Sequence, residues 1–258
     1  MSALHSALVV LALVLSTATG SAERLVTSLS DYRVSIASNF TGADLVLFGT
    51  IERDAATVPR RGGYDIAVTV IGPRQTTRTF RKDRVLGIWV NVESRTFVDA
   101  PTYLAVLTNR PVEEIAGPDV LRRLQVGLAQ TMLPQMIGSD VADVVRDDPF
   151  RMAFLRLRQE RGLYLERANG VTFLSPTVFR AAIPLPADAP IGTYEIDVKL
   201  LADGIMIARE PSAFELYKVA FEQFVANGAR DHGFLYGLST AGLALLVGWL
   251  ASVVFRRD

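Results

Sequence analysis

Apolar residues fall along this chain in two long blocks near its ends and in short, turn-punctuated runs between them. The first block, residues 7–15, is nine residues long and too short to cross a hydrocarbon core of about 30 Å. It fits the apolar region of a secretory signal, with the small residues Gly20 and Ala22 preceding a cut before Glu23. The second block, 234–255, is 22 residues without a charge, and at about 1.5 Å per residue it spans a bilayer. Arg256 and Arg257 follow directly, so the positive-inside rule places the C-terminus in the cytoplasm. The pattern predicts a signal peptide over 1–22, one C-terminal transmembrane helix over 234–255, a cytoplasmic tail over 256–258 and an exported domain between them.

Within that domain strands are expected at 25–29, 33–37, 44–50, 64–71, 84–92 and 103–107. They are separated by Asn39-Phe40-Thr41-Gly42, Gly62-Gly63, Gly72-Pro73 and Asn109-Arg110-Pro111, residues that tolerate positive φ or fix a turn. The runs 45–48 and 85–90 are almost wholly apolar and read as central strands covered on both faces. Six strands over 23–110 with no long helix predict an immunoglobulin-like β-sandwich lobe. Over 111–168 the spacing turns helical, at Val120, Leu121, Leu124 and Leu128 and again at Phe150, Phe154 and Leu157. Start signals stand at Gly117-Pro118-Asp119 and Asp147-Asp148-Pro149.

Strands resume over 169–220. Tyr194, Ile196, Val198 and Leu200 alternate with Thr193, Glu195, Asp197 and Lys199, the pattern of a half-buried strand. Asp203-Gly204 turns it into a hairpin. The expected fold is mainly β: two sandwich lobes, or one sandwich completed late, with a helical insertion over 111–168 and a juxtamembrane linker over 221–233.

Charge and chemistry narrow the function. With 27 basic and 27 acidic residues in 258, no bulk charge recruits nucleic acid. The absence of cysteine excludes disulfides, thiolate metal sites and a cysteine nucleophile. The two histidines are His5, which leaves with the signal, and His232 beside the expected membrane span, so a histidine-based triad in the exported domain is excluded. The acidic run Asp140, Asp143, Asp147 and Asp148 is broken by Arg146 and lacks the EF-hand glycine spacing; it reads as a solvated helix end. No catalytic residue, cofactor or metal is expected.

Two surfaces remain as candidates. Gly237, Ala241, Ala244, Gly248 and Ser252 recur at helical spacing, a small-residue face on which another helix, from a membrane protein or a second copy, would pack. Arg74, Arg78, Lys82 and Arg84 occupy even positions of an expected strand or ribbon. They form either a basic face for an anion, acidic partner or lipid headgroup, or an edge strand protected by charge.

Three stretches carry a family resemblance: residues 39–49; Gly72-Pro73-Arg74 through Arg81-Lys82 to residues 87–91; and Tyr236-Gly237 through Gly248-Trp249-Leu250-Ala251 to Phe255-Arg256-Arg257. Together they resemble the alpha-proteobacterial putative transmembrane protein family over the whole chain. The resemblance supplies no catalytic residues; it implies an accessory role beside a sulfite-exporter-type permease. The expected function is therefore a non-enzymatic, membrane-anchored accessory protein of a transporter in the bacterial inner membrane, its main domain periplasmic. The alternative is an envelope module binding a polysaccharide, lipid or small anion. A third class, an anchored hydrolase, would show a cleft with two close acidic groups, or an exposed serine beside a base.

Overall fold

The protein is described by a computed structural model that covers residues 23–36, 40–53, 63–137, 140–143, 147–218 and 233–255. The expected signal peptide, Asn39, Arg146, the 221–232 part of the linker, His232 and the 256–258 tail lie outside the described residues.

Two sheets face each other across the main core. One has four strands: β1 (Arg24–Leu29), β3 (Gly42–Glu52), β12 (Val178–Pro186) and β11 (Val171–Phe173), in the order β1-β3-β12-β11. The other has six: β2 (Arg33–Ile36), β4 (Asp65–Ile71), β7 (Leu104–Thr108), β10 (Tyr164–Arg167), β13 (Gly192–Ala202) and β14 (Ile205–Lys218), in the order β10-β7-β4-β13-β14-β2. Late strands complete both sheets, since β12 pairs with β3 and β13 pairs with β4, both antiparallel. Alternation decides which side chains meet in the middle. Leu45, Leu47, Phe179, Ala181 and Ile183 of the first sheet and Ile66, Val68, Val70, Tyr194, Ile196 and Val198 of the second are all buried. Tyr103 ties the layers together: its ring lies against that of Tyr194, with centroids 5.6 Å apart, and its hydroxyl donates to the Pro184 carbonyl of β12.

In β4 the alternation fails, because residues 65–70 are all buried. Its second face is roofed by the segment between β7 and β10: the turn α1 (Val112–Ile115), α2 (Pro118–Leu124) and the 3-10 turn at Leu128–Gln130, which bury Val112, Ile115, Leu121, Val126 and Leu128. α2 opens with Pro118 in its first turn and ends at Gln125 in the left-handed conformation.

A third sheet departs from the expected sandwich. β5 (Arg74–Val85) and β6 (Ile88–Pro101) form a long antiparallel hairpin, extended by β8 (Pro134–Ile137) and β9 (Asp140–Asp143) in the order β5-β6-β8-β9. Its base is held by α3 (Pro149–Glu160), where Phe97 of β6 stacks on Phe154 at 4.3 Å. Asp148 caps α3 by accepting from the Arg151 backbone N–H at 2.8 Å. Beyond that base the hairpin reaches into solvent. The run 85–90, expected as a doubly covered central strand, is instead the tip of this hairpin: Leu86 and Gly87 turn the chain at φ 52° and 85°, and the apolar residues around them are exposed. An unbroken apolar run fits a buried strand equally well, and only the turn at Leu86-Gly87 separates the two.

The C-terminal helix α4 runs over Gly233–Phe255. The transmembrane span expected there is corrected, because no helix among the described residues is long and apolar enough to cross a membrane.

Candidate functional site

A cavity lies on the outer face of the six-stranded sheet. It is about 520 Å³ and lined by Thr69, Glu195, Asp197, Lys199 and Arg209 from the sheet, Arg123 from α2, and Arg74 and Asp99 from the hairpin base. Register places these groups together. Asp197 stands opposite Thr69 on β4, and Lys199 stands opposite Arg209 on β14. Glu195, Asp197 and Lys199 share a face because alternate residues of a strand point the same way.

At the floor is an ionic triad. Asp197 accepts from Arg209 Nε at 2.7 Å and from the Lys199 ammonium. Lys199 is only 4% exposed, a costly place for a cation unless it is paired. Burial pushes the Asp197 carboxyl up, but the hydrogen bonds and charges of Arg209 and Lys199 outweigh it and hold the group below its usual range. Nearby, Arg74 pairs with Asp99 at 3.7 Å.

Donors remain after this pairing. The Thr69 hydroxyl is buried, the residue being 4% exposed, and has no hydrogen-bond partner. Lys199 has three protons and directs one at Asp197. Arg123, in the last turn of α2, faces the same cavity. Four cations thus meet three carboxylates around one cavity, a cationic excess suited to an oxyanion rather than a cation. Among the described residues no group of three or more His, Cys, Asp or Glu is placed to hold a metal ion.

The four residues of the expected basic face are divided. Arg74 goes to this cavity, while Arg78 and Lys82 line a groove between β5 and α3 together with Arg158 and Arg161. Arg84 sits near the hairpin tip, donating from Nε to the Gly87 carbonyl at 3.2 Å. Register shifts at Gln75/Thr77 and Arg81/Lys82 break the even-position pattern. Gly237, Ala241, Ala244, Gly248 and Ser252 all lie on α4 and are exposed. Sequence reasoning missed Thr69 and Lys199 as site residues, because the polar face of β13 reads as solvent-facing. The signal was the all-apolar stretch 66–71 interrupted only by Thr69, which shows that β4 is covered on both sides.

Comparison with known proteins adds one finding. No curated protein and no solved structure matches the chain. A family model described as "Putative transmembrane protein (Alph_Pro_TM)" matches residues 24–257, nearly the whole chain, in accord with the resemblance carried by the three stretches above. The chain therefore belongs to that putative transmembrane protein family.

Proposed function

We propose that the protein is a non-enzymatic binding module of the bacterial envelope, which holds a small oxyanion in the cavity over β4, β13 and β14. The observation that carries this reading is the unpartnered, buried hydroxyl of Thr69, opposite Asp197 in the wall of a cavity of about 520 Å³ that Lys199 also lines. A buried donor without an acceptor costs on the order of 1–3 kcal/mol, and an acceptor oxygen from a ligand offsets that cost. The oxyanion accepts from Thr69, from the spare protons of Lys199 and from Arg123. Glu195 at the rim accepts from any hydroxyl the ligand carries.

A hydrolytic role for the same cleft is disfavoured by electrostatics. A general acid needs a raised pKa, whereas Asp197 is lowered and its oxygens are engaged by Arg209 and Lys199. The family's description points to a membrane setting, and on this reading the domain lies on the periplasmic side of the inner membrane as accessory to a transporter of such anions. A sulfite-exporter-type permease is the partner class that the resemblance implies.

The test is titration calorimetry of the full chain with inorganic phosphate, sulfate and succinate, repeated with Thr69→Val and Arg123→Ala. At least one anion is expected to bind, with affinity falling about fivefold for Thr69→Val and about tenfold for Arg123→Ala, the worth of one neutral and one charge-assisted hydrogen bond. Absence of heat with all three, or binding untouched by both substitutions, overturns the reading.

A further inference from the structure

The hairpin tip is built unlike the rest of the surface. Leu86 is 99% exposed, Ile88 68% and Trp89 67%, with Val85, Val90 and Val92 also open to solvent. Ile88, Trp89 and Val90 are consecutive, so they point to alternate faces of the ribbon. Both faces of the tip therefore carry apolar side chains. A hairpin docking on a flat protein surface needs one apolar face; an end with apolar side chains on both faces is suited to shallow immersion in an apolar medium.

Charge is arranged behind the apolar end. Cross-strand rungs run from the turn as Val85 with Ile88, Arg84 with Trp89, Asp83 with Val90, Lys82 with Asn91 and Arg81 with Glu93. The turn and the Val85–Ile88 rung are apolar on both strands, while the next two rungs set Trp89 opposite Arg84 and Val90 opposite Asp83; the wholly apolar end is about two residues deep, about 7 Å at about 3.3 Å per residue, within the depth to which interfacial elements enter a bilayer, about 5–10 Å. Trp89 stands at its edge, opposite Arg84, and tryptophan favours the boundary between headgroups and chains. Residues 74–95 carry six cations against two carboxylates. Asp83 is partly satisfied by the Arg84 backbone N–H at 2.7 Å, and Glu93 by Arg81 and Arg95. Lys82 and Arg84, the cations next to the apolar end, lie where anionic headgroups would be.

We propose that the β5–β6 hairpin inserts its tip, Val85 to Val90, into the surface of an anionic lipid bilayer, with Arg84 and Lys82 against the headgroups. This peripheral contact is independent of the anion cavity. It orients the sandwich relative to the membrane, because the hairpin is continuous with β4 and β7 at its base.

Trp89 reports on the contact directly. In the full chain carrying Trp249→Phe it is the sole tryptophan, so its emission can be followed on adding phosphatidylcholine vesicles with or without phosphatidylglycerol. With anionic vesicles a blue shift and quenching by chain-brominated lipid are expected. The combined variant Arg84→Glu and Lys82→Glu, on exposed positions where folding is not at stake, should bind at least tenfold more weakly. Leu86→Ser with Ile88→Ser should do the same. Emission that stays unshifted and unquenched in every lipid overturns the proposal. So does equal quenching in pure phosphatidylcholine and with the charge-reversed variant, or a shift that follows protein concentration without lipid, which would assign the tip to a second copy of the chain.

Discussion

Gly49 lies at an inward position of β3, directly opposite Phe179 of β12. The fully buried Phe179 ring covers it and meets Phe173 edge-on with centroids 6.0 Å apart. A Cβ on residue 49 would stand 2.1 Å from Cζ of Phe179 and 2.6 and 2.7 Å from its two Cε atoms. Carbon atoms in contact sit at about 3.5–4.0 Å, so the ring must retreat by about 1.5 Å into a core packed like a crystal. Overpacking of this kind costs about 1–3 kcal/mol. Gly49 is not among the positive-φ glycines, so alanine recovers about 0.4–1 kcal/mol by restricting the unfolded chain. Gly49→Ala is therefore expected to destabilise by about 2 kcal/mol. Phe179→Leu alone also destabilises, but it vacates the space the new methyl needs. The double variant should thus be more stable than the sum of the two by at least about 1 kcal/mol. Urea unfolding of the full-length protein, followed by far-UV circular dichroism, measures all four corners of the cycle. A loss within about 0.5 kcal/mol of zero for Gly49→Ala, the range of an ordinary surface substitution, would refute the packing argument, as would strict additivity.

Other parts of the structure make independent predictions. Thr69→Val exchanges the unpartnered hydroxyl for a methyl of the same shape and should raise stability in the absence of anions by about 1 kcal/mol, read by thermal unfolding in a chloride-free, phosphate-free buffer. Arg110 grips the buried Asp65 through Nε at 2.6 Å and a terminal nitrogen at 2.5 Å. Arg110→Ala leaves that carboxylate with Asn109 alone and should cost about 2 kcal/mol by urea unfolding. The Asp197 carboxyl is held below its ordinary value, so its contribution is complete above about pH 4 and is lost as pH falls through the lowered folded value. Asp197→Asn should accordingly flatten the acid limb of the stability profile.

Much of the fold was legible where a residue's chemistry admits one conformation. Pro118 and Pro149 behind their start signals open α2 and α3, and Asp203-Gly204, at φ 50° and 76°, turns β13 into β14. What the sequence left open was which faces are covered, because periodicity reports polarity and not neighbours. Asp197 and Lys199 look solvent-facing in an alternating strand, yet a roof formed from residues far away in sequence encloses them with Thr69. Residues 85–90 show the opposite case, apolar positions that read as core and stand in solvent. The basic quartet was split by two register shifts, which no spacing rule anticipates. The C-terminal apolar run forms the helix α4, but not a span that meets the requirement for crossing a membrane among the described residues.

The central claim is that an oxyanion occupies the cavity over β4 and β13. Backbone and threonine-hydroxyl shifts of the isotope-labelled full chain, followed by nuclear magnetic resonance during addition of inorganic phosphate, test it most directly. Saturable changes concentrated at Thr69, Arg123, Asp197 and Lys199, and absent in Thr69→Val with Arg123→Ala, are predicted. Shifts that are absent, non-saturating, or centred on the Arg158 and Arg161 groove would contradict it.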